Sequence, residues 1–600
     1  MRSRPLLLPL IAVVLAVGAA PTAATTIVIN PVDSPGIGFN DPTPVVAVGG
    51  NPGTTLGAQR LNVFQFAADL WEAALTGVGA TSDVPIVVQA TFQPLFCTAT
   101  SGVLGAAGTI QIFANFPGAD WPNTWHHSAL SNELAGLDLT PGPPDPGLLV
   151  PPFNDDIVSF FHGAIGVDPA CLTGLDWYYG LDNNAAGNEI DLLNVVMHEF
   201  AHGLGFANFV DDATGNAILG LADIYSVFSR DNTFGKHWNQ MDKRERKASA
   251  VNTGNLVWDG PTVFAEAPGE LIGIPVLRVN APLVIAGDYA AQPASYGPLP
   301  PPAPGVIADV ALYDDGIGPD PNDACDCPFV GPGLCVNSAP LPTDLVGKIA
   351  LINRGTCGFA LKSALAQLAG AAGVVITNNL PVGLSPMGGS ALLDMSIPSI
   401  GVSQATGNAI KAELPGVNAA ILADQALGLS GTDANGFVRL YAPSPVQPGS
   451  SVSHWDTLAT PNLLMEPFIN SDLAAATDLD LTPAQMQDIG WDGTAHCPVG
   501  SDDQATVVID SCDSGVPNSF GPFQFSLGRE LSRTPFGLPG GESHGISAMG
   551  GCHIMDMVNA CAQTSTGGEF TSCISHATNY LQRIGEISEA DAKSIEACAK

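Results

Sequence analysis

The chain has 600 residues, 46% of them apolar, and this length accommodates about three or four domains with hydrophobic cores of their own. Its 57 acidic and 20 basic residues give a formal net charge of -37. Such a charge would repel phosphate backbones and anionic lipid, which excludes nucleic acid and membrane surfaces as favoured partners and leaves the oligomeric state open.

The N-terminus has the layout of a secretory signal peptide. Two arginines precede an apolar run from Leu6 to Val17, and small residues follow it, so cleavage is expected after Ala20 or Ala24. The run is short for a membrane span, and no other stretch approaches about 18 apolar residues. We therefore expect residues 1–24 to be a signal peptide and the protein to be secreted without a membrane span.

The first elements after the signal are predicted from their periodicity. The stretch "NVFQFAADLWEAAL" predicts an amphipathic helix. Its apolar face comprises Phe64, Phe66, Ala67, Leu70, Trp71 and Leu75. The stretches "VPIVVQATF" and "TIQIFANF" are rich in β-branched and aromatic residues and predict two strands.

The stretch "GNEIDLLNVVMHEFAHGLGF" predicts a buried helix with an abrupt end. Apolar residues recur along it at helical spacing, and Asn188 is available as a cap near its start. Gly203 and Gly205 follow the periodic part and favour termination of the helix.

Two histidines on this helix indicate a metal site. His198 and His202 are four residues apart, so one helical face presents both imidazoles to a single ion, and Glu199 lies beside them. This is the zinc peptidase signature, in which zinc lowers the pKa of a bound water and a glutamate accepts its proton. The sequence therefore predicts His198 and His202 as zinc ligands and Glu199 as the catalytic base.

A catalytic zinc usually takes three protein ligands, so a third must be found. The metzincin pattern places a histidine six residues after the second one, but Asn208 occupies that position. His454 is the preferred candidate, because Met465 in "LLMEP" follows it as a methionine turn would. The alternatives are His237 and an aspartate, namely Asp211, Asp212 or Asp223.

An acidic stretch, "YDDGIGPDPNDACDCP", raises the question of calcium. Calcium favours clustered carboxylate oxygens, but the stretch lacks the spacing of an EF-hand, so a solvated loop is favoured and Ca²⁺ stays an alternative. Its acidic residues are Asp314, Asp315, Asp320, Asp323 and Asp326.

The middle of the chain predicts a separate α/β domain. A Pro-rich stretch near residue 290 is followed by "KIALI", "FALKSALAQLAGA", "GVVIT" and "PSIGVSQATGNAIKAEL", which alternate strand and helix as parallel βαβ units do. This block, over roughly residues 280 to 425, resembles the protease-associated (PA) domain. The resemblance implies a non-catalytic insert or appendage.

The parts on either side of this block resemble the leishmanolysin family of metzincin peptidases. The resemblance rests on "HEFAHGLGF", "SHWDTLATPNLLMEP" and "LTPAQMQDIGW", the last of which would be a closing helix. It implies a zinc site of His198, His202 and His454, with Met465 as a structural residue beneath it. It also implies that an edge strand binds the substrate in extended form, for which "TIQIFANF" is the candidate.

Twelve cysteines in an exported chain favour disulfides over zinc clusters or free thiols. Bridges within domains are expected, because the cysteines fall into four even groups: Cys97 and Cys171; Cys325, Cys327, Cys335 and Cys357; Cys497 and Cys512; Cys552, Cys561, Cys573 and Cys598. Cys97 is expected to pair with Cys171 rather than to block the zinc of a latent form. "GESHG" at 541–545 resembles a serine nucleophile elbow but lacks a preceding strand, which favours a loop.

The fold expected overall is an α+β metzincin-like catalytic domain split by an α/β PA domain, with a small Cys-rich helical module at the C-terminus. The corresponding ranges are 1–24 for the signal, 25–270 and 441–496 for the two catalytic parts, 271–440 for the insertion and 497–600 for the module.

The predicted function is a secreted zinc endopeptidase acting on protein or peptide substrates through zinc-activated water and the Glu199 base. One alternative is a non-catalytic binding or adhesion protein on a peptidase fold, against which the intact Glu199 argues. The other is a zinc exopeptidase, since PA domains also accompany aminopeptidases.

Overall fold

The computed structural model describes most of residues 25–499 and part of the C-terminal segment. The described ranges are 25–139, 155–325 and 341–499 without positions 122, 315, 317–319, 356, 382, 385, 386, 390–393, 495 and 497, and then 506–509, 512–517 and 587–600 with isolated residues between 558 and 582. Residues 1–24, predicted as a signal peptide, and the "GESHG" loop lie outside them.

The first part of the chain forms a mixed sheet with two long helices against it. Its elements are β1 (Ile27–Pro31), α1 (Leu56–Val78), β2 (Ile86–Gln93), β3 (Gly105–Thr109), β4 (Ile112–Phe113), β5 (Thr124–His127), α2 (Ser128–Ala135), β6 (Ile157–His162), β7 (Asp176–Tyr178), β8 (Glu189–Asp191) and α3 (Leu192–Leu204). The strand order is β1-β2-β6-β3, with β1, β2 and β6 parallel and β3 antiparallel at the edge.

The predicted amphipathic helix is α1, and its apolar face forms much of the core. Phe64 packs edge-on against Phe161 of β6 and Phe200 of α3, with ring centroids 4.7 and 5.9 Å apart. The indole of Trp71 donates a hydrogen bond to the Met197 carbonyl at 3.2 Å. Both α1 and α3 therefore pack on the sheet and on each other, so the two histidines of α3 are held by a rigid core.

The strand predicted over "TIQIFANF" is wrong in its extent. Thr109 ends β3, the chain bends at Ile110 and Gln111, and Ile112–Phe113 pair with β5 in another sheet. The edge strand is therefore "GAAGT", whose glycines and alanines have low strand propensity and do not predict a strand.

The start of helix α3 also differs from the expectation. Asn188 does not cap it, because Glu189–Asp191 form β8 and pair with β7. The cap is Asp191, whose carboxylate accepts the Leu193 N–H at 2.9 Å. The helix ends as predicted at Gly205, whose φ of +147° disfavours a residue with a side chain.

Small elements connect α3 to the insertion. They are β9 (Ala222–Asp223), α4 (Ile224–Phe228), β10 (Ser229–Asp231), β11 (Lys236–His237), α5 (Lys243–Ser249), β12 (Leu256–Trp258) and α6 (Pro261–Glu270).

The insertion is an α/β unit around one eight-stranded sheet. Its elements are β13 (Gly273–Ala281), β14 (Gly287–Ala290), β15 (Gln292–Pro293), β16 (Val306–Leu312), β17 (Ile349–Asn353), α7 (Phe359–Leu368), β18 (Gly373–Thr377), β19 (Ser399–Val402), α8 (Gln404–Ala412) and β20 (Asn418–Leu429). The order is β14-β13-β20-β16-β17-β18-β19-β15, and β16 to β19 run parallel. The predicted βαβ alternation is confirmed.

The two ends of the insertion meet, and the chain returns to the sheet that it left. The Ser430 N–H donates to the Ile272 carbonyl at 2.9 Å. After it, β21 (Val438–Arg439) pairs with β12, and α9 (Thr482–Asp488) forms the predicted closing helix. Neighbouring ends are what an inserted domain needs to leave its host fold intact.

The C-terminal part is not purely helical where it is described. A hairpin of β22 (Thr506–Ile509) and β23 (Cys512–Pro517) packs on α10 (Glu589–Cys598), and Ser588 and Asp591 form a capping box at the start of this helix. A disulfide joins Cys512 to Cys598, so Cys512 pairs across the two cysteine groups expected from sequence. Within the described residues, no helix has the length and apolar character that a bilayer crossing requires.

Candidate metal centre

The structure brings His198, His202 and His454 together. The Nε2 atom of His198 lies 3.2 Å from that of His202 and 3.2 Å from that of His454. All three side chains are buried, and His454 is 256 residues from His198 along the chain. The folded insertion between the two parts therefore does not separate the histidines in space.

Each imidazole is fixed by a hydrogen bond from its other nitrogen. The Nδ1 atoms lie 2.7 Å from the Leu464 carbonyl for His198, 2.7 Å from the Phe206 carbonyl for His202 and 2.9 Å from the Ser450 carbonyl for His454. Because a carbonyl oxygen only accepts, each Nδ1 carries the hydrogen and each neutral ring keeps a lone pair on Nε2.

The rings are neutral because they are buried. Burial lowers the pKa of His198 to about 3 and that of His202 to about 4, and it lowers the pKa of His454 well below its usual value. The Nε2 lone pair of His198 then faces those of His202 and His454, each at 3.2 Å and without a hydrogen between them. That arrangement is repulsive unless a cation lies among them.

The spacing fits zinc. Zinc–nitrogen bonds of about 2.0–2.1 Å at tetrahedral angles put ligand nitrogens about 3.3 Å apart. Three histidines would leave a fourth position open to water, as catalytic zinc sites do, whereas structural sites are closed by four protein ligands. The donor set therefore suits a catalytic zinc.

Met465 lies in a tight turn that contacts α3. The Glu466 N–H donates to the Leu463 carbonyl at 3.1 Å, which closes the turn, and the Leu464 carbonyl within it is the partner of His198. The Met465 carbonyl accepts the N–H of Trp455, the neighbour of His454, at 2.8 Å. The turn thus fixes two of the three histidines through its backbone.

A second layer of polar contacts holds this turn and the loop that carries His454. The Asp480 carboxylate accepts the Leu464 N–H and the Thr482 N–H. Val452, two residues before His454, has a φ of +67°, which is strained for a β-branched residue. The Tyr225 hydroxyl donates to the Val452 carbonyl at 3.1 Å and holds the loop in this conformation.

Glu199 is buried on the same helix and faces the edge strand. The Ala107 N–H donates a hydrogen bond to its carboxylate, and burial raises the pKa of Glu199 to about 8. A nearby cation would favour the ionised form of this carboxylate. A carboxylate whose pKa lies near neutrality is suited to accept and return a proton.

A cavity of about 630 Å³ borders the end of the edge strand. It is lined by Gly108, Thr109, Ile110, Gln111, Ile112, His127, Ala207, Asn208, Phe209 and Ile218. Among these described lining residues there is no carboxylate and no lysine or arginine. The cavity therefore offers an uncharged surface next to the segment that follows His202.

His127 adjoins this cavity, and its burial predicts that the free energy of unfolding falls in acid. Burial, with the nearby His126 and His202, lowers the pKa of His127 to about 3, and neither ring nitrogen has a partner among the described residues. In the unfolded chain His127 takes up a proton near pH 6.5, whereas in the folded protein it stays neutral. The stability that His127 contributes is therefore fully present above that pH and is lost as the pH falls. Between pH 7.5 and 5 the loss is about 2 kcal/mol.

We expect His127→Leu to reduce the fall in the free energy of unfolding between pH 7.5 and pH 5 by about 2 kcal/mol. Urea unfolding with a chelator present, followed by tryptophan fluorescence, measures it; no tryptophan lies in 271–440 or 497–600. A wild-type pH dependence in the variant would show that His127 is not the group responsible.

The other candidate ligands are engaged elsewhere. His237 is paired with buried Asp259 at 2.7 Å. Asp223 caps α4, Asp211 accepts N–H groups of its own turn, and Asp212 contacts Asn208. None of them joins the three histidines.

The remaining predictions on cysteines and calcium have mixed outcomes. The disulfide of Cys97 and Cys171 is formed, and Cys325 pairs with Cys357. In the acidic loop, Asp320 accepts hydrogen bonds from Asn322 and Asn353, and Asp323 accepts one from Cys325. Asp315 and Asp326 lie outside the described residues, so the calcium alternative is untested.

Sequence reasoning missed the three carbonyls that orient the histidines and the contact of Glu199 with the edge strand. Backbone partners carry no residue signature. The two glycines of "GAAGT" were the available signal, because a glycine within a strand marks a close approach of other atoms.

Comparison with known proteins identifies the inserted unit. Residues 305–410 match the family model of the PA domain, so the chain contains a PA domain within the eight-stranded unit. The match covers the centre of the insertion and none of the three converging histidines.

Curated relatives match over a length similar to that of the PA match. The "Probable leucine aminopeptidase 2" of Aspergillus fumigatus is 39% identical over 113 residues, 17% of this chain and 23% of that protein. The "Leucine aminopeptidase 2" of Trichophyton rubrum is 33% identical over 121 residues, 20% of each chain. The chain thus matches only about a fifth of the length of these relatives.

Solved structures match weakly. A zinc aminopeptidase from Bacillus subtilis is 22% identical with a TM-score of 0.19, over 26% of this chain and 30% of that one. An aminopeptidase from Aneurinibacillus sp. strain AM-1 is 23% identical with a TM-score of 0.18, over 26% and 31%. Such TM-scores give no basis for an argument on the overall fold.

Proposed function

We propose that this protein is a zinc-dependent peptidase whose single zinc is held by His198, His202 and His454. The observation that carries the proposal is the convergence of three Nε2 lone pairs, each fixed by a carbonyl on Nδ1, at the spacing of zinc ligands. The curated relatives, which are named as leucine aminopeptidases, support peptide hydrolysis.

The chain's own residues divide the chemistry among them. Zinc, when bound, supplies a Lewis acid for the scissile carbonyl and lowers the pKa of water. Glu199 takes a proton from the attacking water at its carboxylate and passes it to the leaving nitrogen. The free edge of β3 orients an extended peptide, and Met465 contributes the turn that orients His198.

Cleavage within chains is the mode that the site favours. The outward N–H and C=O groups of β3 that Glu199 does not occupy can pair with one segment of an extended chain, whatever the length of that chain. The cavity beside it has no carboxylate among its described lining residues, whereas an enzyme that removes N-terminal residues must neutralise a buried ammonium group. We therefore infer a metzincin-type endopeptidase.

Exopeptidase cleavage is the second candidate, and the names of the relatives favour it. These relatives are leucine aminopeptidases, although they match only a fifth of their length. In this mode, the substrates of this chain would be peptides with a free N-terminus and leucine at the first position.

A pair of peptides separates the two modes. We expect a decapeptide with acetylated N-terminus and amidated C-terminus to be cut at internal bonds, and leucine anilide to be cut at least about 100-fold more slowly, since it cannot pair along β3. Mass spectrometry of the products checks this. Stepwise release of single residues from the free peptide, with the blocked one intact, would establish the exopeptidase instead.

We also propose that the protein is exported. Residues 1–24 have the signal-peptide layout, and three disulfides, Cys97–Cys171, Cys325–Cys357 and Cys512–Cys598, fit an oxidising compartment. Sequencing the N-terminus of the mature protein from culture medium tests it.

A further inference from the structure

The carboxylate of Glu199 lies against the edge strand. A Cβ atom at Gly105 would be 2.8 Å from Cγ, 2.9 Å from Oε1 and 3.0 Å from Cδ of Glu199. Non-bonded atoms do not approach so closely, so the present position of Glu199 requires glycine at 105. The obstacle is the side chain of the proposed base, and no backbone atom of α3 is among the nearest contacts.

The register of the sheet explains why Ala107 can hold this carboxylate. The His162 N–H donates to the Leu104 carbonyl, and the Ile110 N–H donates to the Asp156 carbonyl. In an antiparallel pair, residues whose backbone N–H and C=O groups bond to the partner strand alternate with residues whose groups point away from it. The backbone groups of Leu104, Ala106, Gly108 and Ile110 therefore point to β6. Gly105, Ala107 and Thr109 then face the free edge, and the Ala107 N–H is available to Glu199.

We infer that β3 positions the general base: Gly105 leaves the space that Glu199 occupies, and the Ala107 N–H fixes its carboxylate. The inference rests on the proposed function. A glutamate has several rotamers, and holding it in one before the reaction removes an entropic cost from the chemical step. Gly105 is a positioning residue, since it acts through Glu199.

The same geometry divides the edge strand into two halves. The half at Gly105 and Ala107 holds Glu199, and the half at Thr109 borders the uncharged cavity. A peptide that pairs with this edge therefore extends along Thr109 and the cavity, with its reacting carbonyl near the half that holds the base.

The test is Gly105→Ala beside Gly163→Ala in the full-length zinc protein. At Gly163 a Cβ would meet its nearest atoms at 3.5 Å, which is ordinary contact, so this control should behave as wild type. We expect Gly105→Ala to lower kcat on the blocked decapeptide by about 100-fold, because a displacement of about 1 Å has that effect. KM should stay within about twofold, and zinc content should be unchanged.

A second measurement does not depend on activity. Gly105→Ala should lower the midpoint of thermal unfolding, followed by tryptophan fluorescence, by about 2–4 °C when Glu199 is present. In a Glu199→Ala background the same substitution should have almost no effect, because the carboxylate is gone. Non-additivity of this kind is specific to the contact between the two residues.

The outcomes separate the two proposals. An inactive wild type overturns the proposed function and, with it, the role of Gly105. An active wild type with an equally active Gly105→Ala variant overturns the positioning role alone. If Gly105→Ala does not fold but the double variant with Glu199→Ala does, the contact between the two residues is supported. If neither variant folds, glycine is needed at position 105 for the backbone fold alone, and the inference is overturned.

Discussion

Glu199→Gln is expected to lower kcat by about 10²–10⁴-fold while the protein keeps its zinc. The amide has nearly the shape of the carboxylate but cannot accept a proton from water, so general-base catalysis is lost. Glu199 is not one of the three residues whose side chains converge as candidate zinc ligands, so zinc content should stay at about one per chain. Hydrolysis of the blocked decapeptide and elemental analysis on the same preparation measure both quantities.

A matched control distinguishes loss of the base from general damage to the fold. Glu189→Gln changes a glutamate in β8, just before α3, and should leave kcat within about twofold. If Glu199→Gln kept wild-type kcat, another group would be the base. If the wild type itself cut no peptide but bound zinc, the alternative of a non-catalytic binding protein would be favoured.

The sequence predicted the elements that carry strong periodicity. Helices α1 and α3 were predictable because apolar residues recur along them at helical spacing. The βαβ units of the insertion were predictable from another pattern, because their buried strands are short runs rich in β-branched and other apolar residues. These patterns reflect burial, which the sequence records directly.

Features that depend on tertiary contacts were not predictable. The strand β3 is made of glycine, alanine and threonine, and it forms because it pairs with β6, not because of local propensity; its glycine at 105 leaves room for Glu199. The hairpin near Cys512 and its disulfide to Cys598 bring together residues 86 apart. No local signal reports such a pairing.

The three histidines that converge were predictable from the sequence, and the geometry that fixes them was not. His198 and His202 follow from helical spacing, and His454 was singled out by the methionine eleven residues later. The carbonyls of Phe206, Ser450 and Leu464 that select the Nδ1–H tautomer are backbone atoms. Only the folded chain shows that the three Nε2 atoms converge.

His454→Ala is expected to remove most of the zinc and, with it, the activity. Two nitrogens would remain where a catalytic zinc takes three protein ligands, so zinc content after dialysis should fall from about one per chain to well below half. Elemental analysis of purified wild type and variant, prepared side by side, measures it. The peptidase rate should fall by about 10³-fold or more, since the ion supplies the activated water.

Another histidine provides the control for this loss. His496 is half-buried and paired with Asp492 at 2.8 Å, away from the three converging nitrogens, so His496→Ala should keep its zinc. Zinc should also return to His454→Ala less completely than to wild type when both are titrated with the ion. Full occupancy in His454→Ala would mean that the third ligand lies elsewhere, and the split site on the two sides of the PA domain would have to be given up.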